Sequence, residues 1–123
     1  MKALLITRDD ELRAEIAAQG AARVPPLSIC ACRTSIQDAL DRLVPDQPAL
    51  VVIDASELDA NDADYLERLA RGYPSSCLML LTREHHQELL IRAMRAGVRE
   101  VLHLPLVHRA LHEAIDRVAT AAG

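Results

Sequence analysis

"VVIDASELDAN", residues 51–61, opens on three apolar residues, ends that run in one carboxylate, Asp54, and then turns polar. Preceded by Ala49 and Leu50, it extends to "ALVVID" (49–54), an apolar run without alternation. Such a run fits a strand covered on both faces, as in parallel sheets flanked by helices. "CLMLLT" (77–82) has the same character. The two are therefore expected at the centre of one sheet. Asp54 is then either a chemical site at a strand end or merely the residue that ends the strand.

Around this pair, strand-like and helix-like segments alternate. "KALLI" (2–6) is a first strand, followed by a helix over 9–20 with Asp9 as N-cap and Gly20 as its stop. A second strand spans about 27–32, after the helix-breaking Pro25 and Pro26. "TSIQDALDRLV" (34–44) places Ile36, Ala39, Leu40 and Leu43 at helical spacing. Helices follow over 61–72, capped by Asn61 or Asp62, and over 83–97, with Leu89, Leu90, Ala93 and Met94 inward and Gly97 as the stop. "EVLHL" (100–104) is the fifth strand and 107–120 the last helix. Five strands alternating with five helices imply βαβ crossovers and a parallel α/β sheet. The domain is expected over 1–119, with 120–123 a frayed end or the start of a linker.

Composition narrows the function. The chain has 123 residues, enough for one domain. It has no Phe and no Trp, so its core must rest on aliphatic side chains. A net charge of −4, with arginines interleaved among acids, argues against a nucleic-acid partner. No apolar stretch approaches the ~20 residues needed to span a bilayer, and Met1 leads straight into a strand, so a cytoplasmic protein is expected. Cys30, Cys32 and Cys77 are odd in number and lack C-x-x-C spacing, which suits small hydrophobes in a reducing compartment.

In open α/β sheets, ligands sit beyond the carboxyl ends of the strands. The residues to examine are therefore Thr7-Arg8, Arg33, Asp54-Ala55, Thr82-Arg83 and Leu104-Pro105. Their arrangement resembles a response-regulator receiver domain, a flavodoxin-like or CheY-like fold with strand order 2-1-3-4-5. The resemblance covers nearly the whole chain. In that family two acids after strand one bind Mg²⁺, an Asp after strand three accepts the phosphoryl group, a Ser or Thr after strand four contacts it, and a Lys precedes a Pro after strand five. Asp54 matches the acceptor, Thr82 the hydroxyl, and Gly97 and Pro105 the framing glycine and proline. Thr7 and Arg8 stand where the acidic pair belongs, Leu104 where the lysine belongs, and Val101 at the usual switch-aromatic position. Lys2, the one lysine, begins the first strand and lies at the far end of the sheet.

Asp9 and Asp10 fall in the first helical turn, where acids cap the helix and meet its dipole, so they are not counted as metal ligands. Phosphoryl transfer to a carboxylate relies on positioning and on neutralising charge. Asp54 alone is a poor Mg²⁺ site. Arg8 is therefore expected to approach Asp54 and to stand in for the metal and the lysine; no cofactor or metal is expected.

"IRAMRAGVREVLHLPL" (91–106) is a fuller signature. It is similar to the N-terminal receiver-like domain of CpaE/TadZ-type pilus assembly proteins. That resemblance implies a non-catalytic interaction and localisation module of the Flp (tight-adherence) machine, recruited to the cell pole or the inner face of the membrane. It also implies an ATPase-like domain in the longer protein. That domain is outside this chain, whose four glycines include none followed by Lys, as a Walker A loop requires. The rival reading is a working receiver phosphorylated on Asp54.

The segment around helix four carries a candidate interaction face: Leu90, Arg92, Met94, Arg95, Arg99 and Val101. In the resemblance this is the face through which receivers meet partners or pair with each other. His108 and His112 share a helix face four residues apart but lack an H-E-x-x-H glutamate or an evident third ligand. His85 and His86 fall in the loop or first turn of helix four. Ser28, Ser35, Ser56, Ser75 and Ser76 sit in no nucleophile motif.

Overall fold

The computed structural model describes residues 1–56, 58–83 and 86–122. Its strands are β1 (Lys2–Ile6), β2 (Ser28–Arg33), β3 (Leu50–Asp54), β4 (Cys77–Thr82) and β5 (Val98–His103). Its helices are α1 (Asp10–Ala22), α2 (Ile36–Asp41), α3 (Ala63–Gly72), α4 (Gln87–Ala96) and α5 (His108–Ala122), with a short 3-10 turn at Ala60–Asp62. The five strands form one parallel sheet in the order β2-β1-β3-β4-β5. This is the receiver fold the sequence implied. The strands with unbroken apolar runs, β3 and β4, are interior.

Alternation along each strand sends successive side chains to opposite faces. Ala3, Leu5, Val52, Met79 and Leu81 pack on one face with Leu12 and Ile16 of α1 and Leu111 and Ile115 of α5. Leu4, Ile6, Val51, Ile53, Leu78 and Leu80 pack on the other with Leu66, Leu69, Leu89 and Ala93 of α3 and α4. Each fully buried aliphatic side chain contributes about 1.5–3 kcal/mol of transfer free energy. The core holds one aromatic, Tyr73, whose ring is buried and whose hydroxyl accepts from the Val44 N–H at 2.7 Å.

Several boundaries differ from the sequence reading, each for a tertiary reason. α1 does not stop at Gly20 but continues to Ala22. Gly20 instead permits close approach, since a Cβ there would lie 2.8 Å from the Leu27 carbonyl oxygen. α2 ends at Asp41, leaving Leu43 exposed rather than on the core stripe. The Arg33 guanidinium takes the Arg42 carbonyl and Tyr73 takes the Val44 N–H, so the chain there serves partners far away in sequence. Asp62 is the N-cap residue of α3, one of the two expected, but its side chain makes no cap bond to that helix and instead closes a capping box with Asp59 on the 3-10 turn. Gly97 does end α4, at φ 124°. α5 runs past residue 119, where linker or fraying was expected, to Ala122. His85 and Gly123 lie outside the described residues.

Both outer strands carry a bulge. In β2, Ala3 pairs with Ile29 and Leu4 with Ala31, so Cys30 is skipped. In β5, Leu78 pairs with Val98 and Met79 with Glu100, so Arg99 is skipped.

Candidate functional site

The carboxyl ends of β1 and β3 are neighbours, at the point where strand order reverses. A cavity of about 550 Å³ opens there. Thr7, Arg8 and Asp9 enter it from the end of β1, and Asp54 and Ser56 from the end of β3. Thr34 to Gln37, at the start of α2, form one wall. Leu58, Asp62 and Tyr65 form another, and Arg83, just past β4, completes the rim.

Asp54 lies at the centre of a small hydrogen-bond cluster. The Thr7 hydroxyl donates to its Oδ2 at 2.7 Å, and the Ser56 hydroxyl and backbone N–H donate to its Oδ1 at 2.6 and 3.0 Å. Thr7 is buried, and its own oxygen accepts from the Asp9 N–H at 3.0 Å. The sequence assigned no role to Ser56. The signal was present nonetheless: a small hydroxyl residue two positions after an Asp leaving a strand suits an Asx turn.

The Arg8–Asp54 pair expected from the sequence is not among the ion pairs of the described residues. Arg8 Nε donates to the Thr34 carbonyl at 3.3 Å instead. Successive residues of an extended chain leave in opposite directions. Thr7 is therefore turned onto Asp54, while its neighbour Arg8 reaches toward α2. Asp9 caps α1, accepting from the N–H groups of Glu11 and Leu12 at 3.0 and 3.1 Å, and its second oxygen meets Arg83 at 3.2 Å. Its carboxylate is committed to the helix and to a cation.

The β4–β5 side of the site differs in kind. Thr82 is buried at the end of β4, and its carbonyl accepts from the Leu104 N–H at 2.8 Å. Leu104 is buried in the α1–α5 core cluster and precedes Pro105 through a cis peptide bond. Thr82, Leu104 and Pro105 do not line the cavity. Thr7, Arg8 and Asp54 thus share the cavity, and Thr82 stands one residue beyond Leu81, the register partner of Asp54 on β4.

One titratable group beside the cavity is shifted. The side-chain hydrogen bonds from Arg42, with the Thr34 N–H, hold the Asp38 carboxyl at about 2. Away from the cavity, burial pushes the Cys77 thiol up, and the Glu100 charge adds to this. His108 and His112 stand with ring centroids 4.3 Å apart, and among the described residues no group of three metal-ligating side chains forms.

On α4, Leu89 and Ala93 are buried while Met94, expected inward, is 52% exposed. At 100° per residue Met94 lies 140° from Leu89 and leaves the core stripe. Ile91 is also exposed, and Leu90 and Val101 are half-buried. Arg92, Arg95 and Arg99 are exposed, with Arg92 tied to Glu88 at 3.1 Å and to the Ala60 carbonyl at 3.2 Å.

No family model matches the chain. Among curated proteins, the transcriptional regulatory protein CitB of Klebsiella pneumoniae is 24% identical over 115 residues, which are 94% of this chain and 49% of that protein. The chain thus spans about half the length of this curated relative. A pilus assembly-related protein of Burkholderia pseudomallei is 30% identical, with a TM-score of 0.79, over 100% of this chain and 92% of that one. A structure described as a CpaE pilus assembly protein of Burkholderia thailandensis is 29% identical, with a TM-score of 0.85, over 98% of each chain. A response regulator of Thermotoga maritima, at 14% identity and a TM-score of 0.81 over 97% of each chain, shares the fold.

Proposed function

The chain belongs to the family of receiver-like pilus assembly proteins of the CpaE kind, and from that premise we propose that it is a protein-interaction and localisation module of a pilus or tight-adherence secretion machine. In this reading Asp54 is not phosphorylated in the Mg²⁺-dependent way and the module catalyses nothing. Its partners are proteins of the machine, including an ATPase-like domain of the longer protein. They recruit it to the cytoplasmic face of the membrane at the cell pole. No helix of the described residues is long and apolar enough to cross a membrane.

One observation carries the reading. The carboxylate at the acceptor position is held by the neutral donors Thr7 and Ser56, while the side chain at the lysine position, Leu104, is buried in the core. Two anions meet during phosphoryl transfer, and an acceptor carboxylate with no ion pair among the described residues and no lysine beside it gains little help in lowering that barrier. α4 adds a partner-facing surface of exposed Ile91 and Met94 among arginines, which also suits pairing of two copies.

The test is incubation with Mg²⁺ and acetyl phosphate, or with beryllofluoride, followed by intact mass and amide NMR. The expected outcome is an unmodified mass and an unchanged spectrum. A stoichiometric phosphate on Asp54 would replace this reading with that of a switching receiver.

A further inference from the structure

The cavity at Asp54 has an apolar floor and an acidic balance. Ile6 and Ile36 are buried beneath it, and Leu58 and the partly exposed Tyr65 wall it. Among the described residues three carboxylates line it, Asp9, Asp54 and Asp62, against two guanidiniums, Arg8 and Arg83. Two of the carboxylates are already committed. Asp9 caps α1 and meets Arg83, and Asp62 closes the capping box with Asp59. Asp54 accepts three hydrogen bonds, all from neutral donors, and among the described residues it has no ion pair. A carboxylate offers about four acceptor sites, so one is left and its charge is unmet by a cation. Leu104, at the position where the resemblance expects a lysine, is buried in the core and supplies no cation.

We infer that this cavity receives a basic side chain, a lysine or arginine, from a protein partner, its aliphatic stem on Ile36, Leu58 and Tyr65 and its charged head at Asp54. A long basic side chain is apolar along its stem and charged at its tip, which is the polarity the cavity presents from wall to Asp54. Tyr65 already carries the Arg68 guanidinium 5.8 Å from its ring centroid, so its ring suits cations. An anionic guest meets an acidic lining and a chain of net charge −4. The inference rests on Asp54 standing outside phosphoryl transfer.

The probe is n-butylguanidinium, followed by amide NMR on the whole chain, with n-butanol and inorganic phosphate in parallel. The expected result is saturable shifts at Thr7, Ser56 and Tyr65 with butylguanidinium alone, weakened about tenfold by Asp54→Asn and by added salt. Tyr65→Ala, which leaves the charge untouched, is expected to weaken binding separately and covers the case in which the Asp54 variant fails to fold. Equal shifts with butanol, shifts with phosphate instead, undiminished binding to a folded Asp54→Asn, or no binding of butylguanidinium would each overturn the inference. The two failures are distinguishable. Acetyl phosphate labelling of Asp54 sinks the non-phosphorylated reading, whereas an unlabelled Asp54 that ignores butylguanidinium sinks this inference alone.

Discussion

The β1–β3 end of the sheet and the β4–β5 end lie side by side, yet they have opposite characters. The first is open and polar: Thr7, Asp54 and Ser56 share hydrogen bonds over a 550 Å³ cavity. The second is closed and apolar: Leu104 is buried in the core and its N–H is bonded to the Thr82 carbonyl. A phosphoryl site needs charge from both ends at once. Here one half forms a pocket and the other belongs to the hydrophobic layer, so the two ends of one sheet edge are built differently.

The largest expected effect comes from forcing the closed end open. Leu104→Lys should lose about 3 kcal/mol or more in urea unfolding, because it strips a packed leucine from the core and buries a charge. If the lysine instead reached Asp54, stability would hold and the contrast between the two ends would collapse. At the open end, Thr7→Val keeps the volume but removes the hydroxyl shared by Asp54 and the Asp9 N–H. A loss of about 2 kcal/mol is expected, as for hydrogen bonds to charged groups. A loss within error would mean that the cluster around Asp54 is held by something other than Thr7. Asp9→Ala removes the α1 cap and the Arg83 contact together, at about 1 kcal/mol. Thermal unfolding reads this one, and an unchanged midpoint would return Asp9 to the list of candidate site ligands.

The smallest effect lies beside the cavity. Asp38 titrates at about 2 in the folded chain, below the usual ~3.9. A depressed carboxyl contributes stability that is present above about pH 4 and lost as pH falls through about 2. Asp38→Asn should therefore lower stability slightly at neutral pH, where that contribution is present, and flatten the acid limb of the stability curve, the two chains converging as pH falls toward about 2. An acid limb identical to that of the parent chain would remove Asp38 from the account.

The same contrast explains what could be read from the sequence. The sheet was legible because β3 and β4 are apolar without interruption, and an unbroken run implies cover on both faces. The place of Asp54 followed from the end of that run. The contacts around it did not follow, because they depend on which side chain of Thr7-Arg8 turns inward, and both residues are polar. α2 was overdrawn for a related reason. Leu43 has the right spacing, but Arg33 and Tyr73, distant in sequence, claim the backbone that would have continued the helix. Met94 was misjudged because the apolar residues of α4 cover more of its circumference than the sheet can bury.

The bulges at Cys30 and Arg99 bear on crowding. A flat outer strand is a template on which another chain can continue the ladder of backbone bonds. Each outer strand here has one residue out of step, and a bulge also sharpens the local twist. A second molecule meeting either side finds a broken row of amides and carbonyls. Copies crowded together would thus be kept from fusing edge to edge into fibres.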